Sequence, residues 1–320
     1  MALVEPFMVK TGLGLGADEV LEVEAKTGES LLVKDVVISG SDDDYILLEI
    51  DKTTVGFFRV KTDYTGSHLY PTQALANNCR NYVGLKAEPS ITLISYMIRK
   101  GWMRGYPVAE GQKLRVKPYT SGKKLGNVFI VYEKYDAGDI KPTDVNGSEA
   151  SEYIFVNYGQ PSTDLTEEGD YLISVCKTTK EFPDFPFSEA VPSKTTIEVL
   201  GILGSESLKY TDADTYTQTK FLKMFKGRTC LFDRDKQGLP FYQYTWAGMG
   251  TGIYVGAGLS VIGNYSSKDR REPFLPPTPL VFNAGDEVNV YVTAGQGTNS
   301  DTLSKVFAEI AFIERVKIAE

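Results

Sequence analysis

Hydrophobic and polar positions alternate with period two along most of the chain, in short runs closed by glycine, proline and acidic turn residues. In the first part these runs fall at 18–25, 30–39, 44–51, 54–60, 91–98, 102–108, 113–119 and 127–135, and predict eight strands. A joining segment follows from 137 to 192, with strands expected only at Tyr153–Tyr158 and Tyr171–Lys177. Within it, Phe182-Pro183-Asp184-Phe185-Pro186-Phe187 cannot occupy a central strand, because each proline lacks a ladder donor. The plan resumes at 196–203, 206–211, 219–225, 228–233, 240–246, 252–263, 286–293 and 304–315. The last run also fits a helical face through Leu303, Val306, Phe307, Ile310 and Ala311. Its earlier counterpart, Val128-Phe129-Ile130-Val131-Tyr132, alternates as a strand, and both are read as strands. One short helix is expected at 72–81, capped by Thr72. Evenly spaced strands, glycine-rich turns and few helical windows predict an all-β chain built as sandwiches or barrels.

One stretch is written twice. Ala109-Glu110-Gly111-Gln112-Lys113-Leu114-Arg115-Val116-Lys117 is echoed 174 residues later by Asn283-Ala284-Gly285-Asp286-Glu287-Val288-Asn289-Val290-Tyr291. Each reads as a polar turn feeding a strand. Gly111 and Gly285 fall where a positive φ is needed, and Leu114/Val116 match Val288/Val290 as inward-facing residues. Collinear matches extend the echo. Leu48, Lys52, Phe57 and Phe58 fall on Leu222, Lys226, Leu231 and Phe232 at 174. Glu29-Ser30-Leu31 falls on Glu206-Ser207-Leu208 at 177, and Glu19-Val20-Leu21 on Glu198-Val199-Leu200 at 179. Val128-Phe129 falls on Val306-Phe307 at 178. A tandem duplication of residues 19–136 in 198–316 is therefore expected. It gives an N-terminal arm over 1–17, a first domain over 18–147 and a second over 148–320 that includes the joining segment 148–192.

A chain of 320 residues accommodates two domains of this size, each able to bury an independent core. The net charge of -8 is spread without blocks, which disfavours direct nucleic-acid binding. Met1–Lys10 lacks the apolar run of a signal peptide, and apolar stretches stop well short of the ~20 residues of a membrane span, so a soluble product is expected. Cys79, Cys176 and Cys230 form no CxxC pattern, and one histidine leaves too few soft ligands for zinc. Buried small apolar residues are the expected role of all three.

Candidate chemistry is sparse. Thr11-Gly12-Leu13-Gly14-Leu15-Gly16-Ala17 satisfies a loose dinucleotide fingerprint, yet the carboxylate-bearing strand Glu19–Glu24 follows it where a helix is required, so a glycine hinge is expected. His68 lies in a turn without a nucleophile context, and a solvated loop residue is expected. Asp42-Asp43-Asp44, Asp212/Asp214 and Asp233/Asp235 could offer oxygen ligands to calcium but lack the spacing of a calcium loop. No catalytic, cofactor or metal residue is assigned. Tyr242, Tyr244 and Trp246 share one face of an alternating run, suited to a glycan platform or a protein interface, or else to a sandwich interior.

Two collinear eight-strand units, an N-terminal arm, aromatic-rich strands, long inter-strand excursions and no catalytic constellation together resemble the double jelly-roll major capsid proteins of icosahedral, membrane-containing viruses of bacteria and archaea. The resemblance spans the chain and carries no short motif, so it transfers no functional residue. It implies two tandem eight-stranded jelly rolls, a homotrimer forming a pseudo-hexagonal block, and a non-enzymatic role in the virion after synthesis in the host cytoplasm. The partners it implies are further copies in the lattice, minor capsid proteins, and an internal membrane reached through the arm. The alternative is a carbohydrate-binding adhesin on tandem sandwiches, with Tyr242, Tyr244 and Trp246 as its platform; a glycoside hydrolase stands third.

Overall fold

The structure of the chain, a computed structural model, describes residues 3–43, 45–59, 92–136, 152–175, 189–204, 218–232, 238–240, 263–264, 273–295, 305 and 309–319. They fall in two compact units, Met1–Phe155 and Val156–Glu320. The chain is all-β apart from one short helix among the described residues, and most of its strands pair antiparallel.

In the first unit β1 (Leu3–Ala17), β2 (Leu21–Glu24), β3 (Glu29–Ser39), β4 (Tyr45–Ile50), β5 (Thr53–Arg59), β6 (Tyr106–Val108), β7 (Lys113–Pro118) and β8 (Lys124–Asp136) make two sheets. Their orders are β1-β8-β3-β6 and β2-β7-β4-β5. The pairs β1–β8, β2–β7, β3–β6 and β4–β5 are those of one long antiparallel hairpin, which the further pairs β3–β8 and β4–β7 wrap upon itself. Alternation explains β7: Leu114, Val116 and Pro118 are buried, while the side chains between them turn outward into ion pairs. Lys113 Nζ lies 3.3 Å from Glu22 and 3.1 Å from Glu24, Arg115 Nε lies 3.1 Å from Glu22, and Lys117 pairs with Glu49. β4 is buried on both faces at Tyr45-Ile46-Leu47-Leu48, and there the alternation gives way to an unbroken apolar run.

The boundary falls within β9 (Glu152–Pro161), most of which belongs to the second unit with β10 (Gly169–Val175), β11 (Glu189–Ala190), β12 (Thr195–Gly204), β13 (Gln218–Lys226), β14 (Thr229–Cys230), β15 (Leu239–Pro240), β16 (Gly263–Asn264), β17 (Leu280–Asn283), β18 (Glu287–Gly295) and β19 (Ile310–Ile318). Its neighbours run β14-β13-β18-β10-β9-β19-β12-β16, with β11 on β18, β15 on β13 and β17 on β12. β10 links two otherwise separate sets, since Gly169–Leu172 pair with β18 and Ile173–Val175 with β9.

The ladders β3–β8, β3–β6 and β4–β7 of the first unit recur in β12–β19, β12–β17 and β13–β18 of the second. Val33 pairs with Tyr132 and Asp35 with Val131, leaving Lys34 as a bulge; Val199 pairs with Glu314 and Gly201 with Ile313, leaving Leu200. Val33 also meets Tyr106 as Val199 meets Leu280, and Ile50 meets Leu114 as Lys226 meets Val288. The echoed turns agree in geometry. Gly111 and Gly285 have φ of 80° and 84°, and their N–H groups donate to Ala25 O at 2.8 Å and Val191 O at 2.9 Å. Gln112 Oε1 accepts from Ala109 N at 3.0 Å, and Asp286 Oδ2 accepts from Asn283 N at 2.6 Å. Leu114, Val116, Val288 and Val290 are fully buried.

Other expectations are corrected. Leu48 pairs with Val116, whereas the residue on Val290 is Met224, so Leu48 corresponds to Met224 and the match to Leu222 is two rungs out. Leu31 corresponds to Ile197, since they pair with Val108 and Phe282, and Val128 corresponds to Ile310 through Ile38 and Gly204. The counterpart of β2 is β11, so Glu19-Val20-Leu21 does not match Glu198-Val199-Leu200. The strand expected at 91–98 is the helix α1 (Leu93–Arg99): Leu93, Ile94 and Met97 bury one face, and Thr92 Oγ1 accepts from Ser95 N at the N-cap. The run 304–315 becomes strand only from Ile310. The helix expected at 72–81 and the strand at 206–211 lie outside the described residues.

Candidate interaction surface

The stretch expected to be a free arm is β1, fifteen residues long and hydrogen-bonded along β8. Its glycines form neither a hinge nor a nucleotide loop. Leu13 and Gly14 together stand opposite Asn127, because Gly12 pairs with Val128 and Leu15 with Gly126. Gly14 has φ of 63° and donates its N–H to Asn127 Oδ1 at 2.9 Å, so it shapes a β-bulge. Gly12 packs inward, and a Cβ there would lie 3.0 Å from Leu15 Cδ1 and 3.1 Å from Leu21 Cδ1. A second bulge places Pro6 and Phe7 opposite Glu133.

β1 is the end strand of its sheet, and among the described residues no strand pairs with its other edge. Phe7 is 70% exposed and Leu13 69%; Leu3, Val4 and Val9 are exposed as well. Only Glu5 and Lys10 carry charge along the strand. The outward face of β7 is a network of ion pairs, while β1 presents apolar side chains along an edge. Such an edge is a template for another strand. The corresponding strand of the second unit is β9, which lies beside β19 as β1 lies beside β8. Its residues Ile154–Gly159 are buried, and β10 occupies its far edge at Gly159–Pro161.

Tyr242, Tyr244 and Trp246 lie outside the described residues, as do His68, Cys79, Cys176, Asp44 and the pairs Asp212/Asp214 and Asp233/Asp235. Cys230 is a half-buried free thiol in β14. The carboxylates of Asp42 and Asp43 are engaged by the turn that follows β7. Asp42 Oδ1 accepts from Lys124 N at 2.6 Å; Asp43 Oδ2 accepts from Thr120 N at 2.6 Å and its Oδ1 from Thr120 Oγ1 at 3.1 Å. They clamp the turn between β7 and β8. Among the described residues no group of three His, Cys, Asp or Glu side chains could hold a metal ion, and no helix is long and apolar enough to cross a membrane.

Two further features were not legible in the sequence. Asp35 sits partly buried beneath α1, where its Oδ1 accepts from Thr92 Oγ1 at 2.5 Å and from Val36 N at 2.9 Å. Burial pushes its carboxyl up to about 6, against the smaller opposing effects of those hydrogen bonds and of Arg99. In the second unit an apolar cleft of about 430 Å³ is lined by Leu231, Phe232, Phe274, Pro276, Pro277 and Leu280 among others, with no ionisable group in its wall among the described residues. Thus β1 unites length, an edge left open among the described residues and exposed apolar side chains, an arrangement suited to association. Neither a protein-family model nor a curated protein matches the sequence.

Proposed function

We propose that the chain is a virion structural protein: the major capsid protein of an icosahedral shell, folded as two tandem eight-stranded jelly rolls and assembled as a homotrimer without enzymatic activity. One observation carries this reading, the recurrence of a single pairing scheme in both units, down to the rung where Lys34 and Leu200 bulge. A wrapped eight-strand hairpin is the layout of a jelly roll, an architecture used by viral shells. Duplicating it in one chain supplies six like blocks from three copies, which turns a threefold oligomer into a nearly six-sided tile. The long stretches that follow the β4–β5 and β13–β14 hairpins, from Arg59 to Tyr106 and from Cys230 to Leu280, support the reading by leaving room for outward excursions.

Light scattering of the purified chain after size exclusion is the test. Three chains of 35.4 kDa give a particle of about 106 kDa. A strict monomer at micromolar concentration would overturn the proposal.

A further inference from the structure

We propose that the open edge of β1 pairs antiparallel with β1 of a second copy of this chain, about a twofold axis at Met8. The inference goes beyond the shell reading and does not depend on it, because it rests on the ladder of β1 alone.

β8 serves as the ruler. Glu5 stands opposite Lys134, Met8 opposite Tyr132 and Lys10 opposite Ile130. In rungs of β8, Glu5 and Lys10 therefore lie equally far on either side of Met8, because the bulge at Pro6-Phe7 absorbs the odd residue. Without that bulge, a separation of five positions would put the two charges on opposite faces. With it they share a face. A twofold axis normal to the sheet at Met8 sets Glu5 of each copy against Lys10 of the other, so every charge of the two strands is matched once, in two ion pairs. The same operation sets Phe7 beside the other copy's Val9, two exposed apolar residues. Opposite charges directly across a ladder stabilise the pair, and like charges there destabilise it.

The size of the contact follows from the register. The overlap runs over the rungs from Tyr135 to Phe129, from Leu3 to Thr11 on β1, about 24 Å of strand at ~3.4 Å per residue. It buries roughly 400 Å² per copy, about half of the ~800 Å² per partner in a standard stable interface. The association is accordingly weak and concentration-dependent. Pro6 removes one donor from the ladder at the bulge, which weakens it further.

Sedimentation of the full-length chain across a micromolar concentration series tests the pairing. Lys10→Glu and Glu5→Lys, each alone, place like charges across both contacts and should weaken self-association about tenfold or more. The double exchange Glu5→Lys/Lys10→Glu should restore it, a recovery that damaged folding does not mimic. Met8→Cys should link two chains into a species of about 71 kDa, twice 35.4 kDa, under mild oxidation, above the level seen for the parent chain. Leu13→Cys, beside Asn127 and roughly 30 Å from its mate in this register, should not. A double exchange no better than the singles, or a Met8→Cys chain that does not cross-link, overturns the proposal. So does a chain whose Phe7→Ser variant loses binding to lipid vesicles while the parent shows no β1-dependent self-association. A failed trimer measurement with intact charge-exchange behaviour would remove the shell reading and leave this one standing.

Discussion

Asp35→Asn should stabilise the first unit near neutral pH. The Asp35 carboxyl lies beneath α1, and burial raises it from 3.8 to about 6. For an acid shifted this way the folded chain holds a proton that the unfolded chain releases, between about pH 4 and 6. Stability therefore falls as pH rises through that window, and the loss is complete above it. A change from 3.8 to about 6 corresponds to about 3 kcal/mol, the most that removing the charge can recover. Both hydrogen bonds end on Oδ1, from Thr92 Oγ1 and Val36 N, and an asparagine oxygen accepts them equally well. The lost attraction to Arg99 offsets part of the gain. Trp102 reports on this region, with its ring 5.9 Å from that of Tyr96 in α1 and its backbone N–H donating to Met97 O at 3.0 Å. Urea unfolding followed by Trp102 fluorescence, in a Trp246→Phe background that removes the only other tryptophan, gives the comparison at pH 4 and pH 7.5. The variant should gain about 1–3 kcal/mol at pH 7.5 and little at pH 4. A gain that does not grow with pH, or a variant less stable than the parent at pH 7.5, would refute the argument.

Two other substitutions test the framework. Gly111→Ala and Gly285→Ala place a Cβ at φ of 80° and 84° with no atom nearby to clash, so each should cost about 1–2 kcal/mol in its own unit and the two losses should be alike; unequal losses in thermal unfolding would count against equivalent turns. Asp43→Ala strips the buried carboxylate that holds Thr120 and should cost about 2–3 kcal/mol by denaturant titration, whereas added calcium should leave the parent's midpoint unchanged.

The strands that alternate cleanly were legible. Lys113-Leu114-Arg115-Val116 announces β7, because one face meets the core and the other meets carboxylates. The turn glycines were legible for a similar reason, since only a glycine reaches φ of 80° without a penalty. Register was not. A slip of two residues keeps every side chain on its proper face, so Leu48 could be laid on Leu222 as comfortably as on Met224. Thr92–Arg99 was misread because its isoleucines and tyrosine favour strands; the overlooked signal was Thr92 three residues before Ser95, with Leu93, Ile94 and Met97 spaced for one helical face. β1 was missed because glycine suggests a break, although two of its glycines serve packing and a bulge within a continuous strand. Its exposed edge could not be read from local pattern, since an edge is created by what the rest of the chain leaves uncovered. What the sequence did contain was a fifteen-residue stretch with only two charged side chains.

The placement of β10 on the end of β9 decides how far association can run. Were both first strands bare at their outer edges, every molecule would offer two sticky sides, and pairing could propagate without limit into fibres. With β10 on the end of β9 and Ile154–Gly159 buried, the exposed apolar edge is confined to β1 among the described residues. Like engages like there, so each chain has one such contact to give.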